Sequence, residues 1–211
     1  RWIHDRGFPI ADDEGNVVRF AGLAEDITQR KTDEDIQREA ARALEELASL
    51  DPLTQLANRR GLESFLDDAQ SLSRRQGGMV AAILVDCDDF KRVNDTFGHA
   101  VGDVALQRIA GALKSTVRPS DILGRIGGDE FLVICPDTDL KGGMHIAETT
   151  RQKVSELEVE TGNQAWIGSI SVGVAEMTQE FETMNELIKV ADESVYLAKK
   201  AGKNRVCSIQ I

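Results

Sequence analysis

The chain alternates short apolar runs with longer amphipathic segments. Residues 79–85 form a continuous apolar run of the length expected for a strand buried on both faces. Residues 122–135 contain two β-rich runs separated by adjacent glycines, a pattern that predicts a hairpin. Further strands are predicted around residues 167–174 and 205–209.

Between these runs, apolar side chains recur every three or four positions, as in helices with one buried face. Helices are predicted near residues 90–96, 103–117, 140–156 and 184–200. Asp103 is expected to cap the second of these helices. Its inward residues are expected to be Leu106, Ile109, Ala110 and Leu113. This order of elements predicts an α+β sandwich, with a ferredoxin-like sheet that carries additions and helices on both faces.

The N-terminal part has a different pattern. Residues 1–5 and 17–23 are strand-like, and residues 12–16 between them have strong turn chemistry. Two such strands are not independently stable in water. Residues 22–31 resemble the closing strand and exit of a PAS sensory domain. We therefore expect residues 1–27 to be the last strands of a PAS-like sensor.

A helical linker is predicted over residues 28–50. Asp26 with Gln29 three residues later is a variant of the capping box that starts helices. Small apolar residues then follow a heptad seam at Ile36, Ala40, Ala43, Leu47 and Leu50. The seam has only about two heptads, so it indicates either a weak dimeric coiled coil or a single amphipathic connector. Its position between a sensor remnant and a downstream domain favours the dimer.

The downstream domain is expected to begin at residue 51. Asp51 followed by Pro52 is typical of a helix N-cap with proline at the first helical position. A helical stripe is predicted at Leu62, Phe65, Leu66, Ala69 and Leu72.

Composition limits the kinds of partner. A length of 211 residues allows one ordinary domain with an attachment, and 41% hydrophobic residues are enough for a packed core. The net charge of −11 argues against binding to nucleic acid or to anionic membranes. A phosphate ligand must therefore be held by a metal or by a few placed cations.

The cysteines and the apolar runs indicate the compartment. Three scattered cysteines are read as reduced thiols of a cytoplasmic protein. No apolar run approaches the roughly 20 residues of a membrane span. The chain starts at Arg1 without an initiator methionine, so we expect a fragment of a longer protein. Tethering to the inner membrane through upstream segments stays open.

Two acidic elements carry the candidate chemistry. Gly127 and Gly128 precede Asp129 and Glu130 at the expected hairpin tip, and the glycines are expected to supply positive φ and to bare the backbone. The strand at residues 79–85 ends on Asp86. Two neighbouring carboxylates suit Mg²⁺, which fills its other positions with water and phosphate oxygens. The alternative for the tip is a surface hairpin with solvated acids.

Asp88 and Asp89 follow the strand where the next helix is expected to begin. We interpret at least one of them as a helix N-cap.

Taken together, these residues resemble the GGDEF family of diguanylate cyclases over about residues 51–211. The matching segments are residues 51–60, 86–99, 102–103, 125–131, 171–175, 191–192, 196, 198–199 and 202–204. Many elements in the family's order are more specific than the pentapeptide Gly127–Phe131 alone. The resemblance implies a nucleotidyl-cyclase-like sheet.

The resemblance also implies the metal and catalytic residues. Asp86 and Asp129 would bind Mg²⁺ or Mn²⁺, with the Cys87 backbone carbonyl as a third ligand. Glu130 would be catalytic, either assisting the metal or activating the attacking hydroxyl; a structural role is the alternative.

For the nucleotide, the resemblance implies that Phe90 and Lys91 present backbone N–H groups to the terminal phosphates. Asn94 and Asp103 would read guanine. The other implied substrate-binding residues are Gly127, Gly128, Lys199 and Lys203.

Arg118 and Asp121 match the family's inhibitory product site, an R-x-x-D string before the hairpin. Some members carry a further arginine where this chain has Thr149, with Arg151 close by. The secondary part of the inhibitory site is therefore in question.

The resemblance implies an enzyme that condenses two GTP into cyclic di-GMP and two pyrophosphates, as a homodimer inhibited by its product. The alternative is a catalytically silent domain that acts as a receptor for GTP or cyclic di-GMP. The intact Gly-Gly-Asp-Glu turn disfavours that alternative, and Asp103 disfavours a cyclase of altered base choice.

Overall fold

The computed structural model describes residues 1–12, 16–47, 49–63, 65, 79–160, 165–177 and 183–209. The chain divides into two compact units, Arg1–Ala48 and Ser49–Ile211. None of the helices within the described ranges is long and apolar enough to cross a membrane.

The first unit contains an antiparallel hairpin and a helix. The hairpin consists of β1 (Ile3–Ala11) and β2 (Val17–Asp26), and the helix is α1 (Thr28–Leu47). Both strands were predicted, although they are longer than expected. The Asp26 carboxylate accepts hydrogen bonds from the Thr28 N–H (3.0 Å) and hydroxyl (2.6 Å). The predicted pairing of Asp26 with Gln29 is wrong, because the Gln29 amide donates to Asp33 instead.

The predicted heptad seam is partly wrong. Helix α1 contains its first four positions but ends at Leu47. Leu50 instead forms an isolated antiparallel bridge with Ala57 in the second unit. Dimerisation through α1 stays a prediction.

The second unit is built on a six-stranded sheet. Its strands are β3 (Ala57–Asn58), β4 (Val80–Cys87), β5 (Ile122–Arg125), β6 (Glu130–Pro136), β9 (Ile170–Glu176) and β10 (Arg205–Ser208). They lie in the order β10–β9–β4–β6–β5–β3, and β4 pairs antiparallel with both of its neighbours. The four inner strands give the ferredoxin-like arrangement, and parallel edge strands are added on each side. The predicted fold class is confirmed.

Helices cover both faces of this sheet. They are α2 (Phe90–Phe97), α3 (His99–Lys114), α4 (Leu140–Ser155) and α5 (Met184–Lys200). Alternate residues of β4 point to opposite faces. Ala81, Ile83 and Val85 belong to the core that includes α2, α3 and α4. Val80, Ala82 and Leu84 belong to the core formed with α5. Central strand β4 is therefore buried on both sides, as its continuous apolar run predicted.

Several local predictions were wrong or incomplete. Asp51 and Pro52 do not start an α-helix: the Asp51 carboxylate caps a turn by accepting from the Thr54 N–H (2.8 Å) and hydroxyl (2.6 Å). The first helical residues of the second unit begin at residue 59. Leu62 is buried as expected, whereas Phe65 is 47% exposed. Leu66, Ala69 and Leu72 lie outside the described residues.

Helix α3 begins at His99, so Asp103 lies within it and does not cap it. The expected inward residues of this helix are all buried: Leu106, Ile109, Ala110 and Leu113. Strand β3 and a small hairpin of β7 (Glu158–Glu160) and β8 (Ala165–Ile167) were not predicted.

Candidate active site

The two acidic elements lie side by side in the sheet. Asp86 near the end of β4 is opposite Glu130 on β6 and Ser171 on β9. The next residue, Cys87, donates its N–H to the Asp129 carbonyl (3.1 Å). The hairpin tip is thus held against the end of the central strand, where the sequence placed the two carboxylates.

Asp86 is strongly influenced by its surroundings. Burial raises the pKa of Asp86, and the charges of Asp129 and Glu130 add to this; the Lys199 ammonium at 2.7 Å opposes it but does not cancel it. Burial alone would lower the pKa of Lys199, but its hydrogen bond to Asp86 and the neighbouring carboxylates raise it. The amine therefore stays protonated and supplies a fixed positive charge beside the acids.

The donor set fits a hard divalent cation. The charges of Asp129 and Glu130 add to the negative potential at Asp86, and a bound cation would neutralise part of it. In the part of the chain that the structure describes, no group of three or more His, Cys, Asp or Glu side chains could hold a metal. A site here would thus consist of Asp86, Asp129 and backbone oxygen, with the remaining positions left for water and phosphate. Burial, followed by the charge of Asp129, raises the pKa of the Cys87 thiol well above its usual range, so Cys87 is a candidate through its carbonyl only.

The hairpin tip differs in detail from the expected tight turn. The Ile126 N–H donates to the Glu130 carbonyl (3.0 Å), which closes the loop formed by residues 126–129. Among the described glycines, positive φ occurs at Gly98 and Gly202, so the prediction of positive φ at Gly127 and Gly128 is wrong. A Cβ on Gly127 would stand 2.6 Å from Glu130 Oε2, whereas one on Gly128 would meet nothing within 4 Å. Gly127 thus makes room for the Glu130 carboxylate, and Gly128 leaves the tip bare.

The start of α2 also differs from the prediction. Asp89 occupies the N-cap position in the left-handed region (φ 54°), but its side chain makes no capping bond. Its carboxylate instead pairs with Lys203 (2.6 Å), and this hydrogen bond lowers the pKa of Asp89. Asp88 is buried and accepts from Ser169 Oγ, Ser171 Oγ and the Asn204 N–H. Asp89 is therefore the N-cap residue of α2, as interpreted for one of the two aspartates, but it holds that position without a side-chain capping bond.

The four predicted substrate-binding residues lie on α2 and α3, two helices that are joined at Gly98. Phe90 and Lys91 form the first turn of α2, and Gly98 is its C-cap residue. The Asn94 side chain lies directly against Gly102 of α3, where a Cβ would collide with its Oδ1. Asp103 is the next residue of α3 and is exposed. The missing side chain at Gly102 thus lets Asn94 approach the segment that carries Asp103.

Arg118 and Asp121 border a separate cavity of about 390 Å³ between the residue 55–57 segment and the end of α3. Asp121 Oδ2 accepts the Arg118 N–H (2.7 Å), while Asp121 Oδ1 is buried with no hydrogen-bond partner among the described residues. The Thr149 hydroxyl bonds to the His145 carbonyl (2.8 Å). Arg151 is directed to Glu148 and Asn204.

The chain was compared with known proteins. The family described as "Diguanylate cyclase, GGDEF domain" matches residues 48–205. The response regulator PleD of Caulobacter vibrioides is 43% identical over 180 residues, which cover 84% of this chain and 40% of PleD. Diguanylate cyclase DosC of Escherichia coli is 35% identical over 158 residues, covering 74% of this chain and 34% of DosC. The chain thus spans less than half the length of these curated relatives.

Solved structures agree with the sequence match. The GGDEF domain of DgcB from Caulobacter crescentus, solved in complex with c-di-GMP, superposes with a TM-score of 0.73 at 31% identity. That match covers 76% of this chain and 95% of the DgcB chain. Diguanylate cyclase SiaD from Pseudomonas aeruginosa, solved with its activator SiaC, gives a TM-score of 0.72 at 37% identity, covering 84% of this chain and 69% of SiaD. With the family match, the shared fold and the Gly127–Phe131 motif in place, this chain belongs to the GGDEF-domain diguanylate cyclase family.

Proposed function

We propose that the protein condenses two GTP molecules into cyclic di-GMP and two pyrophosphates. The observation that carries this proposal is the junction of Asp86, Asp129 and Lys199, where two acidic segments and one fixed cation meet at the end of the central strand. A triphosphate is negatively charged, so it needs a divalent cation in order to bind beside these carboxylates. Conversion of GTP within the cytoplasm is part of the proposal.

Asp86, Asp129 and the Cys87 carbonyl are the residues proposed to hold Mg²⁺ or Mn²⁺. When bound, such an ion neutralises phosphate charge and polarises the α-phosphate for attack. Lys199 balances part of the negative charge and holds the Asp86 carboxylate in place through their 2.7 Å ion pair.

The nucleotide is proposed to lie across the start of α2. Backbone N–H groups of Phe90 and Lys91 point out of the helix N-terminus, which favours phosphate oxygens. Lys91 and Lys203 add charge near these groups, and Gly127 and Gly128 let the phosphates approach the hairpin backbone.

Guanine is proposed to bind at the corner of Asn94 and Asp103. A carboxylate accepts from both N1–H and N2–H₂ of guanine, whereas adenine lacks this donor pair. An unpaired carboxylate facing adenine would be desolvated without compensation, and sites discriminate most strongly in this way.

Bond formation requires two such domains. In each half-reaction the 3′-hydroxyl oxygen of one GTP attacks the α-phosphorus of the other and forms a P–O bond. Pyrophosphate leaves as the bond between the α-phosphorus and the oxygen that bridges to the β-phosphorus breaks. Each domain holds one GTP, so the two sites must face each other across a homodimer, and positioning is the main catalytic resource. Glu130, beside the tip and opposite Asp86, is proposed to accept the hydroxyl proton or to support the metal ligands.

The cavity at Arg118 and Asp121 is proposed to bind the product as an inhibitor. The guanidinium suits guanine O6 and N7 or a phosphate, and the unpartnered Asp121 Oδ1 suits the guanine donors. Thr149 provides no cation for a second contact, so we propose weaker inhibition than in members with arginine there.

The test of this function is product analysis. Purified protein incubated with GTP and Mg²⁺ is expected to release cyclic di-GMP and pyrophosphate, separated and quantified by chromatography. A protein that binds GTP but releases neither product would instead be a silent receptor.

A further inference from the structure

Asp88 connects three separate parts of the second unit. It is only 6% exposed and follows β4, and its carboxylate accepts from Ser169 Oγ (2.6 Å), Ser171 Oγ (2.6 Å) and the Asn204 N–H (3.0 Å). Its own N–H donates to the Ser169 carbonyl (3.0 Å). A buried carboxylate with this many donors is well compensated, and its oxygens are occupied by hydrogen bonds. Asp88 thus serves as a structural acceptor, in contrast to Asp86 and Asp129, which are the proposed metal ligands.

The segment that Asp88 holds is the turn after α5. The Gly202 N–H donates to Lys199 O (3.3 Å) and the Lys203 N–H to Ala198 O (3.0 Å), the bonding of a Schellman-type helix end. Lys203 (φ 62°) and Asn204 (φ 44°) then continue in the left-handed region. Residues other than glycine are disfavoured in this region. The turn is therefore stabilised by hydrogen bonds to residues outside it.

Asn204 makes two of these hydrogen bonds. Its N–H is held by Asp88, and its Oδ1 accepts from Arg151 Nη1 (3.0 Å) on α4. With the turn fixed, the Lys203 ammonium lies 2.6 Å from Asp89 at the start of α2, while Lys199 lies 2.7 Å from Asp86. Both ammonium groups thus pair with carboxylates between the end of β4 and the start of α2. Asp88 lies between these two carboxylates, Asp86 and Asp89, in the sequence.

We propose that Asp88 is a positioning residue that fixes the Lys203 turn at the N-terminus of α2, and so sets the affinity for the terminal phosphates of the nucleotide. This role rests on the proposed function, because it presumes a nucleoside triphosphate at that helix end. Asp88 acts through Lys203 and does not itself touch the nucleotide. Loss of the Asp88 carboxylate should therefore weaken binding of the terminal phosphates and leave guanine recognition intact.

The experiment compares two ligands by calorimetry in the presence of Mg²⁺. One is GMP, and the other is the GTP analogue with a methylene group between the α- and β-phosphorus, which cannot be turned over. The ratio of their affinities reports the terminal phosphates alone. Asp88→Asn keeps the side-chain shape but loses the charge and one acceptor. Asp139→Asn is the matched control, because Asp139 accepts the Gly142 N–H (2.7 Å) as the cap of α4, far from the Lys203 turn in sequence.

We expect Asp88→Asn to lower this ratio about tenfold, the usual size of a lost charge-assisted bond, and to leave GMP affinity unchanged. Asp139→Asn should leave the ratio unchanged, because an asparagine oxygen can accept the same Gly142 N–H. A wild-type ratio in Asp88→Asn would overturn the role of Asp88. If that variant does not fold, Ser169→Ala removes one anchoring hydroxyl and must also lower the ratio; an unchanged ratio overturns the role. A wild-type protein with no preference for the triphosphate analogue over GMP would refute the proposed function itself.

Discussion

Arg125 and Asp51 form an ion pair in which one nitrogen, Arg125 Nη1, lies 3.1 Å from each carboxylate oxygen. The side chains are only 14% and 17% exposed. The other terminal nitrogen, Nη2, donates to the Gly128 carbonyl at the hairpin tip (2.6 Å). One guanidinium thus ties the first turn of the second unit to the loop that carries Asp129.

We expect Arg125→Lys to lower the free energy of unfolding by about 1–2 kcal/mol, because a single ammonium cannot bind both the Asp51 carboxylate and the Gly128 carbonyl as the two terminal nitrogens of Arg125 do. Thermal denaturation measures this loss. Arg59→Lys is the matched control, because the Arg59–Glu63 pair is 3.8 Å apart and well exposed and should contribute little. Equal effects of the two substitutions would contradict a special contribution of the Arg125 contacts to Asp51 and Gly128.

The same pair predicts a pH dependence. Burial raises the pKa of Asp51, but hydrogen bonds from Thr54 and Arg125 outweigh it, so the pKa lies below its ordinary value of 3.8. A carboxyl with a depressed pKa stabilises the fold above its unfolded-state pKa and loses that contribution as pH falls through the folded pKa. The stability gap between wild type and Arg125→Lys should therefore be constant at neutral pH and shrink below about pH 4. A gap that widens in acid would show that Asp51 is not the partner responsible.

Base choice is predicted to depend on Asp103. Asp103→Ala should reduce the preference for GTP over ATP at least about tenfold, since the variant no longer leaves a carboxylate unpaired against adenine. Competition binding with both nucleotides measures this preference. Asp95→Ala on neighbouring α2 is a suitable control for the loss of one negative charge. Unchanged discrimination in Asp103→Ala would remove Asp103 from guanine recognition.

Feedback is predicted to depend on Arg118. Arg118→Ala should weaken cyclic di-GMP binding about tenfold through loss of the charged fork, and it should raise product accumulation without changing GTP affinity. Calorimetry with cyclic di-GMP and progress curves of synthesis are the two readouts. Wild-type product binding in Arg118→Ala would exclude the cavity beside Asp121 as the inhibitory site.

The helical linker is predicted to raise the effective concentration of one cyclase domain near another. A protein of residues 51–211 should therefore show specific activity that rises steeply with protein concentration, while the full chain depends on it less. Residue 51 follows the boundary between the two compact units. Equal activity per molecule at nanomolar and at tens of micromolar concentration would contradict this role for α1.

Sequence patterns predicted best what is locally encoded. The bounds of α5 follow from its apolar stripe and from Thr183, whose hydroxyl accepts the Glu186 N–H (3.3 Å). Strand β3 has two residues and owes its existence to pairing with β5, so no periodicity could reveal it. Gly127 and Gly128 do not need positive φ because residues 126–129 form a loop longer than the two-residue turn that requires it.

The role of Asp88 could not be predicted for a related reason. Its position at the start of a helix is typical of an N-cap, yet its partners Ser171 and Asn204 are distant in sequence. Local propensity is decided within a few residues, whereas a buried carboxylate takes whichever donors the tertiary fold brings to it. The position of Asp86 was predictable because a carboxylate that follows a continuous apolar run is itself a local pattern.

The central claim is that Asp86 and Asp129 form the metal site of a working diguanylate cyclase. The most direct measurement compares cyclic di-GMP formation from GTP by wild type and by Asp129→Asn across a Mg²⁺ titration, with thermal denaturation of both proteins. We predict product from wild type, a loss of turnover of about 100-fold or more in the variant because one of two metal carboxylates is gone, and similar melting temperatures. Full turnover by a folded Asp129→Asn protein, or no cyclic di-GMP from wild type at any Mg²⁺ concentration, would contradict the account.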